Sequence, residues 1–164
     1  MRAEILPIID VFRRAEPAFS RCFLQQTAAT AGYRASRELI AAYRVTGDDV
    51  FTGRDFPDTI AFGAHPVDRH LPGSSGQDVQ FLSEPYRIPY RCLASARCPN
   101  LLAVGALVAA DPVAFATMRV QAQCMATGQA AGTAAALCAT AGTSVTELAC
   151  DELRGQLTAQ NAII

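Results

Sequence analysis

The sequence contains no lysine: all 14 of its Lys and Arg residues are arginines. Without an ε-amine there is no Schiff-base nucleophile and no P-loop lysine, so aldolase-like imine chemistry and Walker-type phosphoryl transfer are excluded. Tryptophan is absent too, and charge is sparse: 18% of the 164 residues are charged, the formal net charge is −1, and 51% are apolar. That balance belongs to a soluble globular domain rather than to a disordered chain. No basic stripe marks a nucleic-acid surface. The six cysteines, Cys22, Cys92, Cys98, Cys124, Cys138 and Cys150, form no CxxC pair. With no secretory leader at the start, the expectation is reduced thiols in the cytoplasm. Zinc needs paired ligands, and the near pair Cys92 and Cys98 has no matching second pair, so no metal is expected.

No charge occurs between Arg119 and Glu147. The stretch is long enough to span a bilayer. It is built from Ala, Gly, Thr and Gln, however, and has neither basic flanks nor an aromatic belt, so a tightly packed helix is expected instead of a membrane span. Within it, Gly128 and Gly132 form a GxxxG spacing that predicts close approach of the helix backbone to a neighbouring element.

The length suits one domain. Apolar spacing from Ile5 to about Ala31, broken at Pro17, predicts two short helices. A further amphipathic stretch is predicted from a cap at Ser36 to Tyr43, and Thr46 with Asp49 reads as a capping pattern that opens a short helix. From Gly53 to Tyr90 repeated Pro and Gly predict short strands and loops, Thr59–Phe62 and Tyr86–Tyr90 among them, with a surface loop at Leu71–Gln77. The run Leu101–Val104 ending at Gly105 predicts a buried strand of the parallel type. Helix is predicted from about Val113 to Ala141, with Asp111 as a cap at its entrance, and again over Val145–Thr158 from a start at Thr143 or Ser144.

Three groups of side chains are candidates for chemistry. His65, Asp68 and His70 form a compact titratable cluster in the loop-rich segment; they read either as a catalytic group, a histidine passing a proton with Asp68 orienting it, or as a polar loop, or less readily as metal ligands. Arg34 and Arg37, three apart, present forked donors suited to a substrate carboxylate or to ion pairs with Asp48, Asp49 and Asp55. Arg119, the last charge before the uncharged stretch, reads either as a flavin or phosphate contact or as a solvent-facing residue.

The ordered motifs Gly32–Glu38, Val45–Gly53, His65–His70, Ile88–Leu93, Asn100–Gly105, Met118–Val120 and Gly128–Leu137 resemble the C-terminal part of the bacterial FAD-dependent oxidoreductase family, flavoproteins similar to glutathione reductase. The resemblance covers nearly the whole chain. It implies an α/β fold, mostly helical with a few short strands, that is an incomplete C-terminal part of a FAD/NAD(P)-binding-type fold. Residues 1–85 would belong to the substrate or cap region, and 86–164 would be the returning strand and C-terminal helices of the FAD-binding domain. FAD is the implied cofactor, with Gly105, Ala106, Met118, Arg119 and Gly128 near it, Tyr90 joining Arg34 and Arg37 at the substrate, and the amides of the following helix aimed at the flavin ring. No GxGxxG occurs in the 164 residues, so the resemblance implies hydride transfer to flavin only with an N-terminal flavoprotein subunit or after homo-oligomerisation; a structural or oligomeric binding module is the alternative. Two departures bear on this: Val104-Gly105-Ala106 stands where the family has Ala-Gly-Arg, and Ala109-Ala110-Asp111-Pro112 stands where it has Ser-Ala-Thr-His.

Overall fold

The computed structural model describes residues 2–30, 32, 35, 37–70 and 76–164, and divides the chain into two compact units, Met1–Tyr33 and Arg34–Ile164. In the first, α1 spans Arg2–Ala15. Glu16 is extended ahead of Pro17, as residues before proline prefer, and this closes the helix. A single 3₁₀ turn, Pro17–Phe19, follows where a second helix was expected. Pro17 cannot donate, and the turn satisfies its remaining amides locally: Phe19 donates to the Glu16 carbonyl and Ser20 to that of Pro17. The Phe12 and Phe19 rings then pack with centroids 5.6 Å apart.

The second unit is mixed α/β. Its elements are α2 (Gly47–Thr52), β1 (Thr59–Gly63), β2 (Val67–His70), β3 (Gln77–Gln80), β4 (Tyr86–Pro89), α3 (Pro112–Met118), α4 (Gln121–Ala141) and α5 (Cys150–Ala159). Strands β1 and β4 pair antiparallel, as do β2 and β3. The predicted loop over Leu71–Gln77 falls largely on 71–75, outside the described residues.

The stretch predicted as an amphipathic helix to Tyr43 is extended over its described part, 37–43; its cap, Ser36, lies outside the described residues. Non-local pairing overrides the local pattern. Ala42 and Tyr43 donate to the carbonyls of Ala94 and Arg91, Ala96 to that of Ile40, and on the other side Leu39 donates to Leu107. Val45 makes a parallel bridge to Ala110. The buried parallel strand expected at Leu101–Val104 is likewise not formed: Leu101 is 44% exposed and Leu102 makes one antiparallel bridge to Ala94. The reversal at Pro99-Asn100 is too short for the crossover that parallel pairing requires, so an antiparallel return is the geometry available.

The capping patterns at Thr46 and at Asp111 both form. Thr46 and Asp49 form a reciprocal capping box on α2. Asp111 caps α3, its Oδ1 accepting from the amides of Val113 and Ala114 at 2.9 and 2.8 Å, while Oδ2 accepts from Gly47 at 2.8 Å. A Cβ on Gly47 would sit 2.6 Å from Val113 Cγ1, so the α2 and α3 entrances meet this closely only because that residue is glycine. The helical region from Val113 to Ala141 is two helices: the Arg119 amide closes α3 on Phe115 and Thr117, and Val120 is extended at ψ 158 before α4 begins. The last helix starts at Cys150 rather than near Val145, because Glu147 takes the Thr143 and Ser144 donors into one isolated turn.

Helix α4 buries Gln123, Thr127, Ala130, Ala131, Ala134 and Cys138, one stripe at helical spacing. Its opposite side is mostly Ala and Gly, with Gln121, Met125 and Gln129 among them. A Cβ at Gly128 or Gly132 would meet nothing within 4 Å, so the close approach expected from the GxxxG spacing is not made among the described residues, and Met125 on that side is 69% exposed. No helix among the described residues is long and apolar enough to cross a membrane.

Asp49 is a buried carboxylate that carries four hydrogen bonds. It accepts from the Thr46 amide and hydroxyl, the Tyr43 hydroxyl and Arg54. Burial alone would raise its pKa, but these donors outweigh it and hold the carboxyl below its ordinary range. A depressed folded pKa stabilises above the unfolded value, roughly 4, and the stabilisation is lost as pH falls through the folded value. Asp49→Asn is therefore expected to cost about 2–3 kcal/mol at neutral pH, measured by urea unfolding, with the gap to wild type narrowing below about pH 4.

Candidate functional site

The α3–α4 junction gathers more of the candidate residues than any other place among the described ones. Positive φ at Gly105 (66°) opens the 3₁₀ turn Gly105–Leu107, which packs against α4; a Cβ on Gly105 would lie 3.8 Å from Cys124 Sγ. Cys124, in the first turn of α4, donates its thiol to the carbonyls of Arg119 at 3.3 Å and Met118 at 3.8 Å. Burial pushes this thiol's pKa up, so it is a packing and weak donor group rather than a thiolate. Gly105, Ala106, Met118 and Arg119 are thus neighbours around the start of α4; Gly128 lies one turn beyond Cys124.

No side chain caps α4 at Val120. Its first amides therefore remain open donors at the positive end of a 21-residue helix. Beside them Gln123 is 4% exposed, and its Oε1 has no hydrogen-bond donor among the described residues. Open amides thus stand next to a buried carbonyl acceptor that has no donor among the described residues.

The loop-rich segment is fastened to this junction through its backbone. Thr117 donates its hydroxyl to the His65 carbonyl at 2.6 Å, and Tyr86 OH lies 3.1 Å from the same hydroxyl. Burial raises the Tyr86 pKa, the Thr117 contact opposing it only in part, so the phenol stays protonated. Gly63 makes room for that ring, since a Cβ there would fall 2.2 Å from Tyr86 Cζ. Arg119 Nη2 reaches the Asp68 carbonyl at 3.5 Å, a long contact. The exposed His65 ring turns Nδ1 to the Pro66 carbonyl at 2.6 Å. A carbonyl only accepts, so Nδ1 carries the proton and Nε2 is the outward nitrogen. The His70 side chain lies outside the described residues.

The substrate candidates are not gathered in one place. Arg34 lies outside the described residues. Arg37 stands at the mouth of a cavity with Glu38 and Arg44. Tyr90 is 4% exposed and donates its hydroxyl to the Val145 carbonyl at 2.8 Å, which places it in the core. Sequence reasoning missed Gln123, Cys124, Thr117 and Tyr86. A glycine inside a strand, Gly63, was the available sign that a bulky group approaches there.

Comparison with protein families matches the chain over residues 1–157 to one described as FAD dependent oxidoreductase. Comparison with curated proteins and with solved structures gives no match.

Thr117→Val removes both the hydroxyl under the His65 carbonyl and the partner of a buried phenol. It is expected to cost about 1–3 kcal/mol in unfolding free energy and to speed amide exchange selectively through residues 65–68. Unchanged exchange there would show that the Thr117 contact does not fasten this segment.

Proposed function

We propose that this chain, which belongs to the FAD dependent oxidoreductase family, supplies the part of a flavin site that meets the isoalloxazine ring in a bacterial flavoprotein of the glutathione-reductase-like kind. FAD, when bound, supplies the hydride-accepting chemistry. The observation that carries the reading is the start of α4: uncapped amides beside the orphaned Gln123 Oε1. The polar edge of a flavin ring alternates carbonyl, N–H and carbonyl, and open amides with one free acceptor are complementary to it. Arg119 and the Gly105–Leu107 turn border the same place, and His65, its outward Nε2 an acceptor when neutral, is the group available to take a substrate proton. Gly128 lines α4 one turn further on. In this reading residues 1–85 serve the substrate side and 86–164 the cofactor side.

The pyrophosphate end is a different matter. A GxGxxG loop at a helix N-terminus is the usual anchor for it, and the 164 residues contain none. In this reading a nucleotide-binding segment outside these 164 residues holds that end, and an N-terminal flavoprotein subunit or a homo-oligomer would supply it. The bare face of α4 and the 44% exposure of both Leu101 and Leu107 support such an association. All six thiols are free, which supports a cytoplasmic location. A second reading, a structural or oligomeric binding module without catalysis, is favoured by one observation: Asp111, at the departure from the family's pattern, is wholly occupied with backbone amides.

Riboflavin and FAD share the ring, and only FAD carries pyrophosphate. The isolated chain is expected to quench the fluorescence of both with affinities equal within about threefold, and Gln123→Leu to weaken both roughly tenfold. FAD binding far more tightly than riboflavin would place a phosphate site on this chain and overturn the division of labour. Binding of neither would favour the module reading. Light scattering on the same sample is expected to give a mass above that of the 17.4 kDa chain.

A further inference from the structure

A second concave site lies beside the Gly105–Leu107 turn, with Ala106 in its lining. It is a cavity of about 350 Å³, within the usual size of small-molecule sites. Its wall is apolar and, Ala35 apart, comes from one stretch: Ala106, then Val108 and Ala110, which alternate and so face the same way, then Pro112 and Phe115 in α3. The small side chains of Ala106 and Ala110 leave the volume open. Its mouth carries Arg37, Glu38 and Arg44.

The charges at the mouth can be paired off. Glu38 takes Arg44 in a fork, Nε to Oε1 at 2.6 Å and Nη2 to Oε2 at 3.0 Å. Asp111, the other nearby carboxylate, spends both oxygens on the amides of Gly47, Val113 and Ala114. Arg37 is left: it is exposed and makes no hydrogen bond or ion pair with any described residue. One unopposed guanidinium over an apolar cavity calls for a ligand with one negative charge and an apolar body. A phosphate dianion would meet, among the described residues, a single free cation with two carboxylates close by, whereas a carboxylate matches that charge and fits the planar fork.

We propose that this cavity binds a small organic carboxylate, its charged group on Arg37 and its aliphatic or aromatic body against Val108, Ala110 and Phe115. The site uses no group of the first turn of α4, and its test contains no flavin, so it stands or falls separately from the flavin reading.

The test is a titration of the ¹⁵N-labelled full chain, at fixed ionic strength, with phenylacetate, with its neutral analogue phenylacetamide, and with inorganic phosphate. Phenylacetate is expected to give saturable shifts centred on the amides of Arg37, Val108 and Ala110, and the other two to bind at least about tenfold more weakly. Arg37→Ala is expected to weaken phenylacetate roughly tenfold, and Arg37→Lys by less, because the ammonium keeps the charge without the fork. Ala106→Leu keeps Arg37 and fills the cavity, and is expected to abolish saturable binding. Both substituted positions are exposed, so the variants keep the wild-type fold, checked by their spectra. The proposal is overturned if the amide or phosphate binds as tightly as the carboxylate, if Arg37→Ala leaves affinity unchanged, or if saturable shifts are absent or centre elsewhere.

Discussion

Three backbone amides, those of Gly47, Val113 and Ala114, converge on the carboxylate of Asp111, and the arrangement of the second unit depends on that convergence. Orphan amides at a helix start must find acceptors. Here one side chain serves the entrances of two helices, so α2 and α3 cannot move independently. The backbone on either side repeats the tie: Val45 donates to Ala109, and Asp111 donates back to Val45. With its entrance held, α3 delivers Thr117 and Arg119 to the carbonyls of His65 and Asp68 and sets where α4 can begin. The donor-rich start of α4 and the cavity at Arg37 thus border opposite ends of one short, anchored helix.

What could be read from the sequence was what local chemistry decides. Thr46 with Asp49, and Asp111 before Pro112, announce their caps because the bonds they make are within a few residues. The short strands around Ile60 and Ile88 are bounded by prolines and were legible for the same reason. The stretch ending at Tyr43 was not, because its extended form is decided by partners some fifty residues or more away, Arg91 to Ala96 and Leu107 to Ala110. Leu101 to Val104 carried an apolar strand pattern, but the direction of pairing depends on the length of the connection rather than on the run itself. At the site, Gly105, Met118 and Arg119 entered through the motif that carries the family resemblance. Gln123 and Cys124 belong to no motif that spacing rules read, and only burial reveals that the Gln123 carbonyl lacks a donor.

The absence of lysine shapes the charged contacts around Tyr43 and Phe56 as well. Arg91 lies 5.0 Å from the Tyr43 ring centre and 5.6 Å from that of Phe56, while Arg54 lies 5.4 Å from Phe56. Their guanidinium groups also reach Asp58 and Asp49. A planar, delocalised cation can face a ring and a carboxylate together; a compact, strongly hydrated ammonium does this poorly. Few charges are present, and several of them serve two partners each.

The bare side of α4, around Gly128 and Gly132, carries a consequence in entropy. Covering a surface of Lys, Arg or Met freezes rotamers and loses up to about 2 kcal/mol for each side chain, whereas Ala and Gly have no rotamers to freeze. The helix already fixes their backbone. Away from Gln121, Met125 and Gln129, a surface laid along that side is covered with almost no loss of side-chain freedom, so even a shallow apolar contact there retains most of its solvation gain.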